Sequence, residues 1–221
     1  MPLRADSDAI ERIAQRFARR SHAGYARGKL RHDPVFAAAA TWIDGGTIPL
    51  LDIGCGLGLL GFYLRECGWH GTYHGLDFDA GKIAAARDAA AGLVQFRLDD
   101  ERAQSLPAFS GHVALLDVLH YLPRAEQAAL LQEAAARVAP GALLIVRSVL
   151  RTPGWRFRLT QLEERFIHAI GWIASPALHF PTREEIDAPL QVAGLSAQVQ
   201  PLWQGTPFNS FAIIARRPIS A

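Results

Sequence analysis

The segment LLDIGCGLGLLG, residues 50–61, concentrates the residue types best suited to holding a ligand. Gly54, Gly56 and Gly58 fall between a short apolar run and a helical one, where a strand turns into a helix. Glycine at such a turn adopts positive φ and lets the backbone approach a ligand closely. The helix start beyond it presents free N–H groups. Gly56, Gly58 and Gly61 also spell G-x-G-x-x-G, and Asp77 lies 21 residues beyond Gly56, about where a dinucleotide fingerprint places its ribose-binding acid. Spacing alone leaves two cofactor classes open. Asp52 helps to separate them, because it stands two residues before the first glycine. A carboxylate aimed at a pyrophosphate repels it, whereas one beside an ammonium or sulfonium group is favourable.

Further candidates lie where later apolar runs give way to polar residues. Asp99 and Asp100 close FRLDD, and Asp117, His120 and Tyr121 follow HVALL. Open α/β sheets bind ligands outside the carboxyl ends of their strands. His120 is placed there to accept a hydroxyl proton near neutral pH or to contact an acceptor, or else to serve packing or hydrogen bonding. Tyr25, Arg27 and Lys29 lie between the first helical runs, where a cation can meet an anionic group or be solvated. Residues 151–181 carry Trp155, Phe157, Phe166, Trp172, His179 and Phe180 among several arginines, which suits a flat or anionic acceptor, or a core stripe. Cys55, Cys67 and the histidines have no companions at metal-site spacing, so no metal is expected.

These residues need elements to position them. Ile10, Ile13 and Phe17 predict an opening amphipathic helix, which GYARGKLRHDP is expected to break before a helix over 35–42. From residue 49 onward, apolar runs alternate with helical ones. PLLDIG, GTYHGLD, VQFRLDD, HVALLDV and ALLIVRSV read as five strands. Gly68 and Gly92 stop the first two intervening helices, Asp79 caps the second, and Pro123 opens the third. Such alternation predicts a parallel sheet covered on both faces. Leu159, Leu162, Phe166, Ile170 and Ile173 keep helical spacing after it, and Thr182 with Glu185 matches a capping box. SAQVQPLW and SFAIIARR are joined by a loop too short for a crossover, so this last pair is expected to be antiparallel.

The whole chain has 221 residues and a formal net charge of +2, with half its residues hydrophobic, a globular composition. No run of apolar residues is long enough to span a bilayer, and the first residues lack a secretory pattern, so a cytoplasmic protein is expected. Residues 1–40 hold eight Lys/Arg against four Asp/Glu. Such a basic arm suits an acidic partner, a phosphate or an anionic membrane surface, or is simply a solvated helix face.

On D-I-G-C-G-L-G, the acid of GLDFD, the acid pair of FRLDD and LLDVLHYLP, the chain resembles the class I S-adenosylmethionine-dependent methyltransferases over about residues 45–217. The resemblance implies a Rossmann-like α/β fold, with a seven-stranded, mostly parallel sheet whose last strand is antiparallel. It implies a helical cap over 1–44, a core over 45–221 and an acceptor lid inserted at about 151–181. Gly54, Cys55, Gly56 and Gly58 would line the methionine part of S-adenosylmethionine, and Asp52 would hold its ammonium, directly or through water. Asp77 would bind both ribose hydroxyls, Phe78 would pack on adenine, and Asp99 or Asp100 would take the adenine amino group. Asp117 would complete the donor site, and Tyr25, Arg27, Lys29, Tyr121 and Trp155 would face the acceptor.

LLDVLHYLP with YARGKLRHDP and TPFNSF further resembles methyltransferases of aryl-polyene and xanthomonadin-type pigment clusters. That likeness implies transfer to an oxygen of an aromatic or polyene acid, free or bound to a carrier protein. An NAD(P)-dependent oxidoreductase and a non-catalytic donor-binding subunit are the alternatives. The absence of an (N/D)PP(Y/F) signature and of a basic stripe argues against nucleic acid as substrate. The oligomeric state is not legible.

Overall fold

The structure, a computed structural model, describes residues 6–101, 106–169, 177, 179–203 and 206–219, without side chains over 163–169. Seven strands form one sheet: β1 Leu50–Ile53, β2 Tyr73–Leu76, β3 Phe96–Asp99, β4 His112–Leu116, β5 Leu143–Val149, β6 Ala197–Pro201 and β7 Ser210–Arg216. Their order is β3-β2-β1-β4-β5-β7-β6. The pairs from β3 through β5 are parallel, while β7 runs antiparallel to both β5 and β6. The expected sheet is therefore the observed one.

The helices are α1 Ser7–Gln15, α2 Arg20–His32, α3 Val35–Ile43, α4 Leu59–Glu66, α5 Ala80–Ala89, α6 Arg124–Ala136, α7 Trp155–Ala169 and α8 Arg183–Val192. A 3-10 turn at Leu119–Tyr121 follows β4. Asp79 accepts from the N–H groups of Gly81 and Lys82, and Thr182 with Glu185 forms the full capping box. Gly68 and Gly92 end their helices at positive φ.

Side chains alternate across each strand, so β1 feeds two cores. Leu50 joins the core under α1–α5, and Leu51 and Ile53 join the one under α6 and α8. The N-terminal helices share the first core, with Ile10, Ile13, Phe17 and Leu30 buried beside Phe62, Leu64 and Tyr73.

One expectation fails here. GYARGKLRHDP does not break the helical region, because α2 runs through it to His32. Ala23, Ala26 and Leu30 are buried at helical spacing, and that packing outweighs the cost of Gly24 and Gly28. The real break lies earlier, between Gln15 and Arg20. Ile170, Trp172 and Ile173, and the side chains of Arg165 and Phe166, lie outside the described residues.

Candidate active site

The glycine loop leaves β1 at its carboxyl end. Gly54, Gly56 and Gly58 all hold positive φ, at 75°, 55° and 71°. Gly54 is required on two counts, since a Cβ there would also collide with the Val118 side chain. The N–H groups of Gly54 and Cys55 both donate to Leu76 O, at 2.7 and 2.9 Å, which ties the loop to β2. Around Gly56 the space is open, with nothing within 4 Å of an added Cβ. Gly58 is the N-cap of α4, so the first free N–H groups of that helix face the loop.

Asp77 braces this loop from the end of β2. Its Oδ2 accepts the Gly56 N–H at 2.8 Å and its Oδ1 accepts the Asp79 N–H at 2.9 Å. A carboxylate offers about four lone-pair positions, so capacity remains for two further donors. Phe78 follows it and is 62% exposed, a large ring left open beside the loop.

Asp52 lies beneath the loop, 2% exposed. Tyr73 donates its hydroxyl to Asp52 Oδ2 at 2.7 Å, and Oδ1 is buried without a partner among the described residues. Burial pushes the Asp52 carboxyl up to about 7; the Tyr73 bond opposes this and the Asp77 charge adds to it. Burial likewise pushes the Cys55 thiol up.

Asp99 and Asp100 differ in their engagement. Burial raises the Asp99 carboxyl, but His74 at 2.8 Å and Arg97 at 2.5 Å outweigh that and hold it below its usual range. Asp100 is exposed and reaches Arg87 at 3.2 Å.

The carboxyl ends of β4 and β5 carry an ion cluster that links the sheet to α2. Asp117 sits at φ 63°, and its Oδ2 meets Arg147 from β5 and Lys29 from α2. Asp33 receives the same two cations, Lys29 at 2.9 Å and Arg147 at 3.2 Å. Burial pushes Asp33 up, yet Arg147 and Lys29 prevail and hold it far below the usual carboxylate range. Ser210 accepts from Arg147 Nε at 2.8 Å. Sequence reasoning missed Arg147, Asp33 and Tyr73. A lone arginine inside the apolar run LLIVRSV was the available signal for the first.

His120 lies in the 3-10 turn, 1% exposed, with its ring 4.1 Å from Tyr121 and stacked on Phe180 at 5.7 Å. Phe157 from α7 meets Phe180 edge-on at 5.5 Å. The segment before α8 is thus folded onto the end of β4, and Gln127 secures it by donating to Leu119 O and His179 O, each at 2.8 Å. Burial, reinforced by the Lys29 charge, lowers His120 to about 4, so the ring is neutral at neutral pH.

The structure brings Lys29, Asp117, His120 and Tyr121 to one end of the sheet. It turns Arg27 elsewhere, to Glu11 of α1 at 2.7 Å. Tyr25 is partly exposed on α2. Trp155 opens α7 at 63% exposure, and the Arg156 guanidinium lies between its ring and that of Trp203, at 4.8 and 4.9 Å.

Residues 50–141 match the family model described as a methyltransferase domain. Those residues, less than half of the chain, thus carry a methyltransferase domain. Solved structures share its fold at low identity. Magnesium protoporphyrin IX methyltransferase from Synechocystis PCC 6803, with bound S-adenosylhomocysteine, is 20% identical at TM-score 0.66, over 96% of this chain and 95% of that one. An O-methyltransferase family protein from Burkholderia thailandensis is 16% identical at TM-score 0.68, over 100% of this chain and 65% of that one. The [4+2]-cyclase SpnF is 17% identical at TM-score 0.65, over 84% and 80%. A cyclase among these neighbours shows that the fold alone does not fix the reaction, and the methyltransferase assignment rests on the family match. No curated protein matches this chain. No helix among the described residues is long and apolar enough to cross a membrane.

Proposed function

We propose that this methyltransferase transfers the donor's methyl group to an oxygen of a small aromatic or polyene acid, free or carrier-bound. The observation that carries the donor half is the pairing of an open glycine loop with a buried, unpartnered Asp52 oxygen beneath it. A buried carboxylate oxygen without a partner is costly, and a donor ammonium, directly or through water, relieves that cost. Gly54, Cys55, Gly56 and Gly58 cradle the methionine part. Asp77, already oriented by two backbone N–H groups, accepts both ribose hydroxyls. Phe78 covers adenine, Asp99 or Asp100 takes its amino group, and Asp117 closes the donor site toward the acceptor.

When bound, S-adenosylmethionine supplies an electrophilic methyl on a sulfonium. The chain's part is alignment and exclusion of water. His120, Tyr121, Phe157 and Phe180 form an aromatic wall at the end of β4, with Lys29 beside it. That wall suits a flat ring carrying negative charge. Neutral His120 would accept the acceptor hydroxyl's proton and pass it to solvent, while the methyl would leave sulfur, giving a neutral thioether, and bond to that oxygen. The cap, residues 1–44, and the described part of the insertion at about 151–181 frame the acceptor, with Tyr25, Lys29 and Trp155 on that side, while Arg27 is held by Glu11. The basic arm gives an acidic carrier protein, or an anionic membrane surface, a place to dock.

The test uses isotope-labelled S-adenosylmethionine with hydroxylated aromatic acids, free and loaded on a carrier protein. Label in either form supports the reading, and the form labelled names the substrate. No label in any hydroxylated acid, with label in an amine or a carbon acid, overturns the oxygen acceptor. His120→Ala is expected to lower turnover well beyond its effect on donor affinity. Equal losses in both remove His120 from the acceptor side.

A further inference from the structure

Among the described residues, the polar groups beneath the glycine loop form a set without a cation. The ionisable groups facing Asp52 are the Tyr73 hydroxyl from β2, the Cys55 thiol in the loop and the Asp77 carboxylate beyond β2. On its other side β4 places Ala114 in register with it, which adds no charge. Among the described residues nothing bonds to Asp52 Oδ1. An ionised Asp52 there is a buried charge with no counter-ion, and taking up a proton removes that cost.

Tyr73 is held firmly against this group. Its ring stacks on Phe96 at 4.3 Å, and an added Cβ on Gly61 would lie 2.6 Å from it. Glycine at residue 61 therefore serves the tyrosine, which explains the third glycine of the G-x-G-x-x-G spacing without a dinucleotide. The hydroxyl engages one Asp52 oxygen at 2.7 Å and leaves the other.

We propose that Tyr73 is a positioning residue for the methyl donor, fixing Asp52 so that the donor's ammonium meets its remaining oxygen and donor binding expels the Asp52 proton. This rests on the reading of Asp52 as the ammonium site. The step balances simply. A neutral carboxyl and an ammonium become a carboxylate–ammonium pair, directly or through one water, and one proton passes to the buffer. Donor affinity then rises with pH by about tenfold per unit until Asp52 is ionised in the free protein, and is level above that.

The experiment is calorimetric titration of the full chain with S-adenosylhomocysteine, which keeps the ammonium. Titrations at about pH 6 and about pH 8, in buffers of different ionisation enthalpy, count the protons released. The wild type is expected to release about one proton at the lower pH and almost none at the higher. Tyr73→Phe keeps the ring packing but loses the hydroxyl, so release persists to higher pH and affinity near neutrality falls severalfold. Asp52→Asn binds more weakly, without proton release. No release by the wild type at the lower pH overturns the proposal. Release that persists in Asp52→Asn does so too, because it assigns the proton to another group. A Tyr73→Phe protein that titrates as the wild type removes the positioning role. Asp52→Asn binding as tightly as the wild type at the higher pH instead sinks the ammonium reading itself, whatever the proton count.

Discussion

Asp77→Ala tests the donor site through the residue that both braces the loop and is assigned to the ribose. The side chain now accepts from Gly56 N at 2.8 Å and Asp79 N at 2.9 Å. Two ribose hydroxyls would add two charge-assisted hydrogen bonds, worth about 1.5–3 kcal/mol each. Their loss weakens donor binding by about 3–6 kcal/mol, or roughly 10²- to 10⁴-fold in Kd. The brace is a separate term. Gly56 N and Asp79 N lose their acceptor but lie at a part-exposed loop where water can replace it, so the free protein loses only about 1–2 kcal/mol. Calorimetry with S-adenosylhomocysteine and urea unfolding without ligand measure the two terms independently. Asp77→Asn retains an acceptor oxygen and is expected to fall between. Binding by the alanine variant within about threefold of the wild type, in a folded protein, refutes the ribose role.

Three further outcomes follow from the same geometry. Gly54→Ala places a methyl against Val118 at a φ of 75°, and is expected to cost about 2–3 kcal/mol in urea unfolding and to abolish tight donor binding; normal stability and affinity contradict the loop's role. Arg147→Met leaves Asp33 and Asp117 sharing Lys29 alone, costing about 3–5 kcal/mol, and adding Asp33→Asn is expected to restore part of it; a cost under about 1 kcal/mol refutes the cluster's importance. The third concerns acid. His112 and His120 are both lowered to about 4, chiefly by burial, and His112 Nδ1 accepts the Leu143 N–H, which only the uncharged ring can do. Their contribution is present above the unfolded value of about 6.5 and is lost as pH falls toward 4. Asp52, raised to about 7, works in the opposite sense over that window. On unfolding two protons are taken up and one is released, so stability falls by about 1.4 kcal/mol per unit of acidification. Asp52→Asn is expected to double that slope in urea titrations, and an unchanged slope counts against the buried neutral carboxyl.

The strand-and-helix alternation was legible because β1, β4 and most of β5 are buried on both faces and read as apolar runs. The short loop after SAQVQPLW revealed the antiparallel pair, but not that β7 inserts between β5 and β6. That order depends on contacts remote in sequence. α2 was hidden because Gly24, Gly28 and many cations mask its buried Ala23, Ala26 and Leu30. The glycine turn and Asp77 were readable from local spacing. The partners Tyr73 and Arg147 were not, because each acts across strands, on Asp52 and Asp117 respectively. Asp99 and Asp100, equal in sequence, are separated only by the pairing of Asp99 with His74 of the adjacent strand.

The central claim is that the loop at Gly54, Gly56 and Gly58 holds a methyl donor rather than a dinucleotide. Calorimetric titration of the wild-type chain with S-adenosylhomocysteine and, separately, with NADH tests it most directly. The account predicts saturable one-to-one binding of S-adenosylhomocysteine, lost in Gly54→Ala, and no binding of NADH. Saturable binding of NADH with none of S-adenosylhomocysteine would contradict it.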